Sequence, residues 1–172
     1  MRLFVAFAVA ISGVVLIGSA VQAQPQPAPA APPPGPPPAY GPAVTTDQAK
    51  KAVAAAIAAA KKTPYFYAFA VVDPTGSLVY FEKMENAPYA STNIAMAKAR
   101  TAASFKLPTK VWFDRMETGH PYVATLEPGL VAAAGGIPLM VDGKVVGAIG
   151  VSGGPTGLID TDAAQAGVDA LK

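Results

Sequence analysis

The chain has 172 residues, no cysteine and a formal net charge of +2. Without thiols it has no disulfide, thiolate metal site, cysteine nucleophile or lipid on an N-terminal cysteine, so packing alone must stabilise it. The near-neutral balance lacks a basic run or aromatic-basic stripe, which argues against a nucleic-acid footprint or a membrane-surface helix.

The first residues read as a targeting segment. Met1 and Arg2 give a short positive start, 3–17 is an apolar run of signal-peptide length, and Val21-Gln22-Ala23 places small residues at a cleavage site. Ser12, Gly13, Gly18, Ser19 and Gln22 interrupt the run, and no Lys or Arg follows before Lys50, which disfavours a stable membrane anchor. Residues 1–23 are therefore expected as a signal peptide. The mature chain would be periplasmic or secreted, with twelve basic against eleven acidic residues once Arg2 is lost.

Residues 24–44 hold ten of the eighteen prolines and no charge, so they cannot build a core and are expected to run as a disordered, extended tether. One domain, 45–172, remains, long enough for a packed core.

That domain opens with a helix over 46–62. Thr45 and Gln48 have capping-box spacing, Asp47 adds negative charge to the first turn, and Lys61 and Lys62 precede Pro64. Its apolar positions are mostly alanine, which permits close approach to a sheet. Residues 65–72 and 77–83 have strand composition on either side of the turn Asp73-Pro74-Thr75-Gly76, which predicts a hairpin. Both faces of the first strand are apolar, as suits a central position.

After Pro88, Ser91 is placed to cap a second helix through Phe105. Ala95, Ala99 and Ala102 or Ala103 form its small-residue stripe, expected against the sheet, with Ile94, Lys98, Thr101 and Phe105 on the neighbouring stripe. Lys98, Arg100 and Thr101 then lie near the sheet's edge, where cations and a hydroxyl can meet an anionic ligand. A short amphipathic helix over 109–117 carries Trp112, Phe113 and Met116, and Gly119 stops it. The loop beyond it holds His120, the single histidine.

Strands are expected near 131–134 and on both arms of 135–154, where Asp142-Gly143 supplies a two-residue hairpin turn. On the second arm Val145, Gly147, Ile149 and Val151 should share one face, with Val146, Ala148, Gly150 and Ser152 on the other, nearly bare face. Glycines inside a strand mark the close approach of a helix, a backbone or a ligand. Asp160 or Thr161 is placed to cap a last helix ending at Leu171. No Lys-Ser/Thr follows the glycines at 150–154 to make a phosphate loop.

A-K-A-R-T-A-A-S-F at 97–105, G-G-I-P-L at 135–139, D-G-K-V-V-G-A-I-G-V-S-G at 142–153 and A-G-V-D-A-L at 166–171 together resemble the GlcG/HbpS family of haem-binding proteins. V-V-D-P-T-G at 71–76 and M-E-N-A-P at 84–88 are similar to the family's first hairpin and the entry to its second helix. The resemblance covers essentially all of 45–172. It implies an α/β domain of the α+β type, an antiparallel five-stranded sheet with packed helices, profilin-like or sensor-like, and a homo-oligomer. It also implies haem as cofactor, in sequestration, sensing or degradation. An enzyme is implied by resemblance alone, since no acid-base pair or nucleophile triad stands out. The alternative is a non-catalytic small-molecule-sensing or accessory module of the same fold without haem.

A haem iron needs an axial donor. His120 is the strongest by chemistry, the methionines and tyrosines follow, and Thr101 offers weaker oxygen ligation from within the motif that carries the resemblance. Lys98 and Arg100 are the candidate partners for the propionates.

Overall fold

The computed structural model describes residues 35–172, so the expected signal peptide and most of the expected tether lie outside the described residues. The elements run α1 (Thr46–Ala60), β1 (Ala68–Val72), β2 (Leu78–Lys83), α2 (Tyr89–Phe105), α3 (Lys110–Glu117), a 3-10 helix (Pro121–Thr125), β3 (Gly136–Val141), β4 (Lys144–Ser152) and α4 (Gly157–Asp169). The sheet is antiparallel with strand order β2-β1-β4-β3.

Four strands stand where five were expected. The missing one is the stretch 131–134, and its backbone explains why: the Val131 N–H donates to Thr101 Oγ1 of α2 at 3.1 Å instead of entering a ladder. Residues 131–134 therefore form an irregular passage from the loop beside α2 to β3.

Helices cover both faces of the sheet. Tyr67 with Phe69 and Val71 of β1, Ile137 and Leu139 of β3, and Val146, Ile149 and Val151 of β4 form one core with the buried faces of α1 and α4. On the other face Ala68, Ala70 and Val72 of β1 and Ala148 of β4 meet the alanine stripe of α2. Every residue of β1 is buried, as a central strand requires.

The close α2 contact is made possible by Gly150. A Cβ there would run into the carbonyl oxygen of Ala95 and the amide of Ala99, so the bare face of β4 serves helix packing. The alternation expected along β4 fails at its start. A bulge displaces the β3–β4 register between Leu139 and Met140, where Leu139 faces Gly147 and Met140 faces Val145, and Val146 joins the α1/α4 side. The Asp142-Gly143 turn has positive φ at both residues, +50° and +72°, as a primed two-residue turn needs.

Local signals set most helix ends. Gln48 N–H donates to Thr45 Oγ1 at 3.2 Å, and Gln48 Oε1 accepts from Thr45 N–H at 2.9 Å, completing the expected capping box. Ser91 is not the cap of α2. The helix starts earlier, behind Pro88, and Ser91 is buried within it. Similarly α4 begins at Gly157, which puts Asp160 inside its first turn as a buried residue instead of at the cap.

Residues 39–44, expected at the end of the tether, are hydrogen-bonded to the start of β4. Gly41 N–H donates to Val145 O at 2.8 Å, Val44 N–H to Val146 O at 2.7 Å, and Val145 N–H to Ala39 O at 2.9 Å. Val44 is buried, and the Tyr40 hydroxyl donates to Ala103 O and Ser104 O, at 2.9 and 3.0 Å, at the C-terminal end of α2.

Candidate functional site

A groove of about 480 Å³ lies along the outer side of α2. Ala97, Arg100, Thr101 and Ser104 form its floor, the β1–β2 turn at Thr75, Gly76 and Ser77 one wall, and the loop 127–130 the other. The β1–β2 turn is fixed by Asp73, whose Oδ1 accepts from Thr75 N–H at 2.8 Å, Thr75 Oγ1 at 2.6 Å and Ser77 N–H at 3.0 Å. Those bonds, led by the Thr75 hydroxyl, hold the Asp73 carboxyl below the usual range. The opposite wall is tied to the floor by the Val131–Thr101 bond.

The two charged residues of the groove are Arg100 and Glu127. Arg100 is exposed, and its Nε donates to Gly76 O at 3.3 Å, which leaves both terminal nitrogens of the guanidinium to face a ligand. Thr101 is a buried residue of the floor whose Oγ1 accepts from the Val131 N–H, and Thr75, Ser77 and Ser104 add further hydroxyls. The apolar lining is limited to Ala97, Pro128 and Leu130.

The four residues expected at the site are not all brought together. Arg100 and Thr101 share the groove, whereas His120 is exposed on the turn after α3, with Nδ1 3.3 Å from the Thr118 hydroxyl and its ring 6.1 Å from Tyr122. It does not line the groove. Lys98, expected at the rim, is 2% exposed and points into the fold, where Nζ donates to Asp160 Oδ2 at 2.6 Å and to Val151 O at 3.1 Å. The correction has a simple cause, since Lys98 lies on the same side of α2 as the alanines that meet the sheet and its stem continues into that layer.

Asp160 is the residue that sequence reasoning missed. Its other oxygen accepts from Gly154 N–H at 2.8 Å, so the pair joins α2, the end of β4 and the first turn of α4. Burial pushes the Lys98 ammonium below the ordinary lysine range, opposed by the Asp160 charge, and burial pushes the Asp160 carboxyl up, opposed by Lys98. An acid three residues into an apolar helix was the available signal, but capping preferences absorbed it.

Tyr40 meets α2 at the backbone of Ser104, a residue whose side of the helix lines the groove. Burial raises its phenol, and nearby Glu127 raises it further, so the phenolate form that would bind iron is disfavoured. Its proton is also committed to the α2 carbonyls.

A helix-floored groove on an α+β domain, with one guanidinium and several hydroxyls, is the candidate binding site. Residues 44–169 match the family described as Haem degrading protein HbpS-like, and the chain belongs to that family. It is 33% identical to Protein GlcG of Escherichia coli K12 over 109 residues, 63% of this chain and 81% of that one. Among solved structures, a double mutant of Streptomyces reticuli HbpS is 34% identical with a TM-score of 0.70, covering 86% of this chain and 99% of that one. A PduOC complex with haem is 27% identical with a TM-score of 0.68, covering 76% and 96%.

The groove fits a porphyrin in part. Its volume falls within the range of about 300–1,000 Å³ of small-molecule and cofactor sites. Arg100 suits a propionate, and Thr101 with the neighbouring hydroxyls offers oxygen donors to iron. Three small or medium apolar residues cover only part of a porphyrin face.

Proposed function

We propose that this chain is an exported haem-binding protein that holds the porphyrin in the α2 groove, with a propionate at Arg100 and Thr101 toward the iron. The observation that carries the reading is the groove itself, where a guanidinium with both terminal nitrogens uncommitted and a buried threonine are adjacent residues on the helix that carries the family motif. The haem complex of PduOC, a fold neighbour, supports it. Bound haem would supply a redox-active iron. The chain's own groups bind and orient: Arg100 fixes a carboxylate, the Asp73-held turn sets one wall, and the Val131–Thr101 bond fixes the other.

Export is supported by the signal-peptide pattern of 1–23, and a homo-oligomer by exposed Tyr65, Phe66 and Tyr89, the last 94% exposed. A second copy could also cover the porphyrin face that this groove leaves open. The second reading, a small-molecule module without haem, is favoured by the polarity of the lining, which carries hydroxyls and both signs of charge. Thermal melts of the mature protein with and without haem separate the two. A saturable rise in Tm with haem supports haem binding, and no rise at any haem concentration supports the second reading.

A further inference from the structure

The groove is lined by one cation, Arg100, and one anion, Glu127. At the β1–β2 end, Arg100 is held by Gly76 O with its terminal nitrogens uncommitted. Ser104 follows four residues later on α2, about 6 Å along the axis. Its carbonyl accepts from Tyr40, and Glu127 is close enough to that phenol to act on it electrostatically. Among the described residues neither Arg100 nor Glu127 belongs to an ion pair. The last carbonyls of α2 add the negative end of the helix dipole near Ser104, which also lines the groove. Lys106 lies 4.0 Å over the Tyr40 ring and does not line the groove.

We propose that the groove reads a single carboxylate: Arg100 receives it, and Glu127, with the negative end of α2, excludes a second. The ligand class is a flat or extended monocarboxylate whose far end is uncharged or donates hydrogen bonds to Glu127 and the serine and threonine hydroxyls. For a porphyrin this means one propionate inside, on Arg100, and the other left in solvent. The inference rests on the porphyrin reading of the groove and deepens it. A guanidinium pairs with a carboxylate through two parallel hydrogen bonds, whereas a carboxylate placed against Glu127 meets like charge in a partly desolvated setting.

The test is a ladder of three iron porphyrins, the free diacid, its monomethyl ester and its dimethyl ester, titrated into the purified chain and into two variants whose folding is checked by thermal melts. In the wild type the diacid and monoester bind within about threefold of each other, and the diester about tenfold more weakly, the size of one charge-assisted contact. Arg100→Gln removes the difference between monoester and diester. Glu127→Gln makes the diacid bind several-fold tighter than the monoester. A wild type that prefers the diacid to the monoester by about tenfold or more would overturn the inference. So would an unchanged ladder in both variants. Equal, saturable binding of all three porphyrins leaves haem binding standing and sinks the single-carboxylate rule. No binding of any of them sinks both.

Discussion

The Lys98 ammonium sits 2.6 Å from Asp160 Oδ2, with the two side chains 2% and 4% exposed. This pair of opposite charges, 62 residues apart in the chain, locks the groove-bearing helix α2 to the first turn of α4 through the sheet layer. Desolvation of two ions is offset only while both are present, so the pair matters most when one partner is removed.

Lys98→Met should cost about 3–5 kcal/mol, and the double change Lys98→Met with Asp160→Leu should recover most of the loss. The two single variants should respond to pH in opposite directions. In Lys98→Met the Asp160 carboxyl loses the charge that held it down, and its folded pKa rises further above the unfolded value. That contribution is present at low pH and lost as pH rises through the folded pKa, so the deficit grows toward alkaline pH. In Asp160→Leu the lone lysine is pushed further down, its contribution is lost as pH falls through the folded pKa, and the deficit grows toward acid. Urea denaturation of both variants across pH 5–9 checks the signs. Parallel slopes would show that the pair is not ionised as drawn.

Gly150→Ala should lower stability by about 1–3 kcal/mol, since the new methyl meets backbone of α2 that cannot shift without moving the whole helix. A change at Gly143, where a Cβ meets nothing but φ is +72°, should cost less, about 1 kcal/mol. Thermal melts of both variants give the ranking, and a reversed order would mean α2 is not seated on Gly150.

Much of this fold is legible in local sequence. The Thr45/Gln48 box, the Asp142-Gly143 turn and the alanine stripe of α2 each act over a few residues, and each appears where the pattern puts it. What escaped involves distant partners. Strand composition at 131–134 says nothing of Thr101 waiting thirty residues back to take the Val131 N–H. Lys98 looks like a surface cation until Asp160 is placed beside it. The bulge after Leu139 moves Val146 to the opposite face, a shift that strict alternation cannot anticipate. At the site, Arg100 and Thr101 were legible because they belong to one helix, whereas Glu127 reaches the groove only through the tertiary path of its loop.

Residues 39–44 should contribute to stability although they belong to the proline-rich stretch. A chain beginning at Thr45 loses the buried Val44 and the Tyr40 hydroxyl bonds, and should be less stable than one beginning at Gly35 by about 2–4 kcal/mol. Tyr40→Phe alone should cost about 1 kcal/mol. Equal denaturation midpoints for the two chains would show that the segment does not hold to β4 in solution.

The proposed export has a mass signature. Intact-mass analysis of protein from the producing cell should find Gln24 as the first residue, and light scattering at micromolar concentration should find more than one chain per particle. Met1 retained on membrane-bound protein contradicts export, and a monomer alone contradicts assembly.

The most direct measurement is a haem titration of the wild type, Thr101→Val and His120→Ala, followed by absorption in the Soret region. The account predicts a saturable Soret shift for the wild type, an altered Soret position or weakened binding for Thr101→Val, and no change for His120→Ala, whose ring lies outside the groove. Absence of saturable binding in the wild type, or loss of binding in His120→Ala with Thr101→Val unaffected, would contradict it.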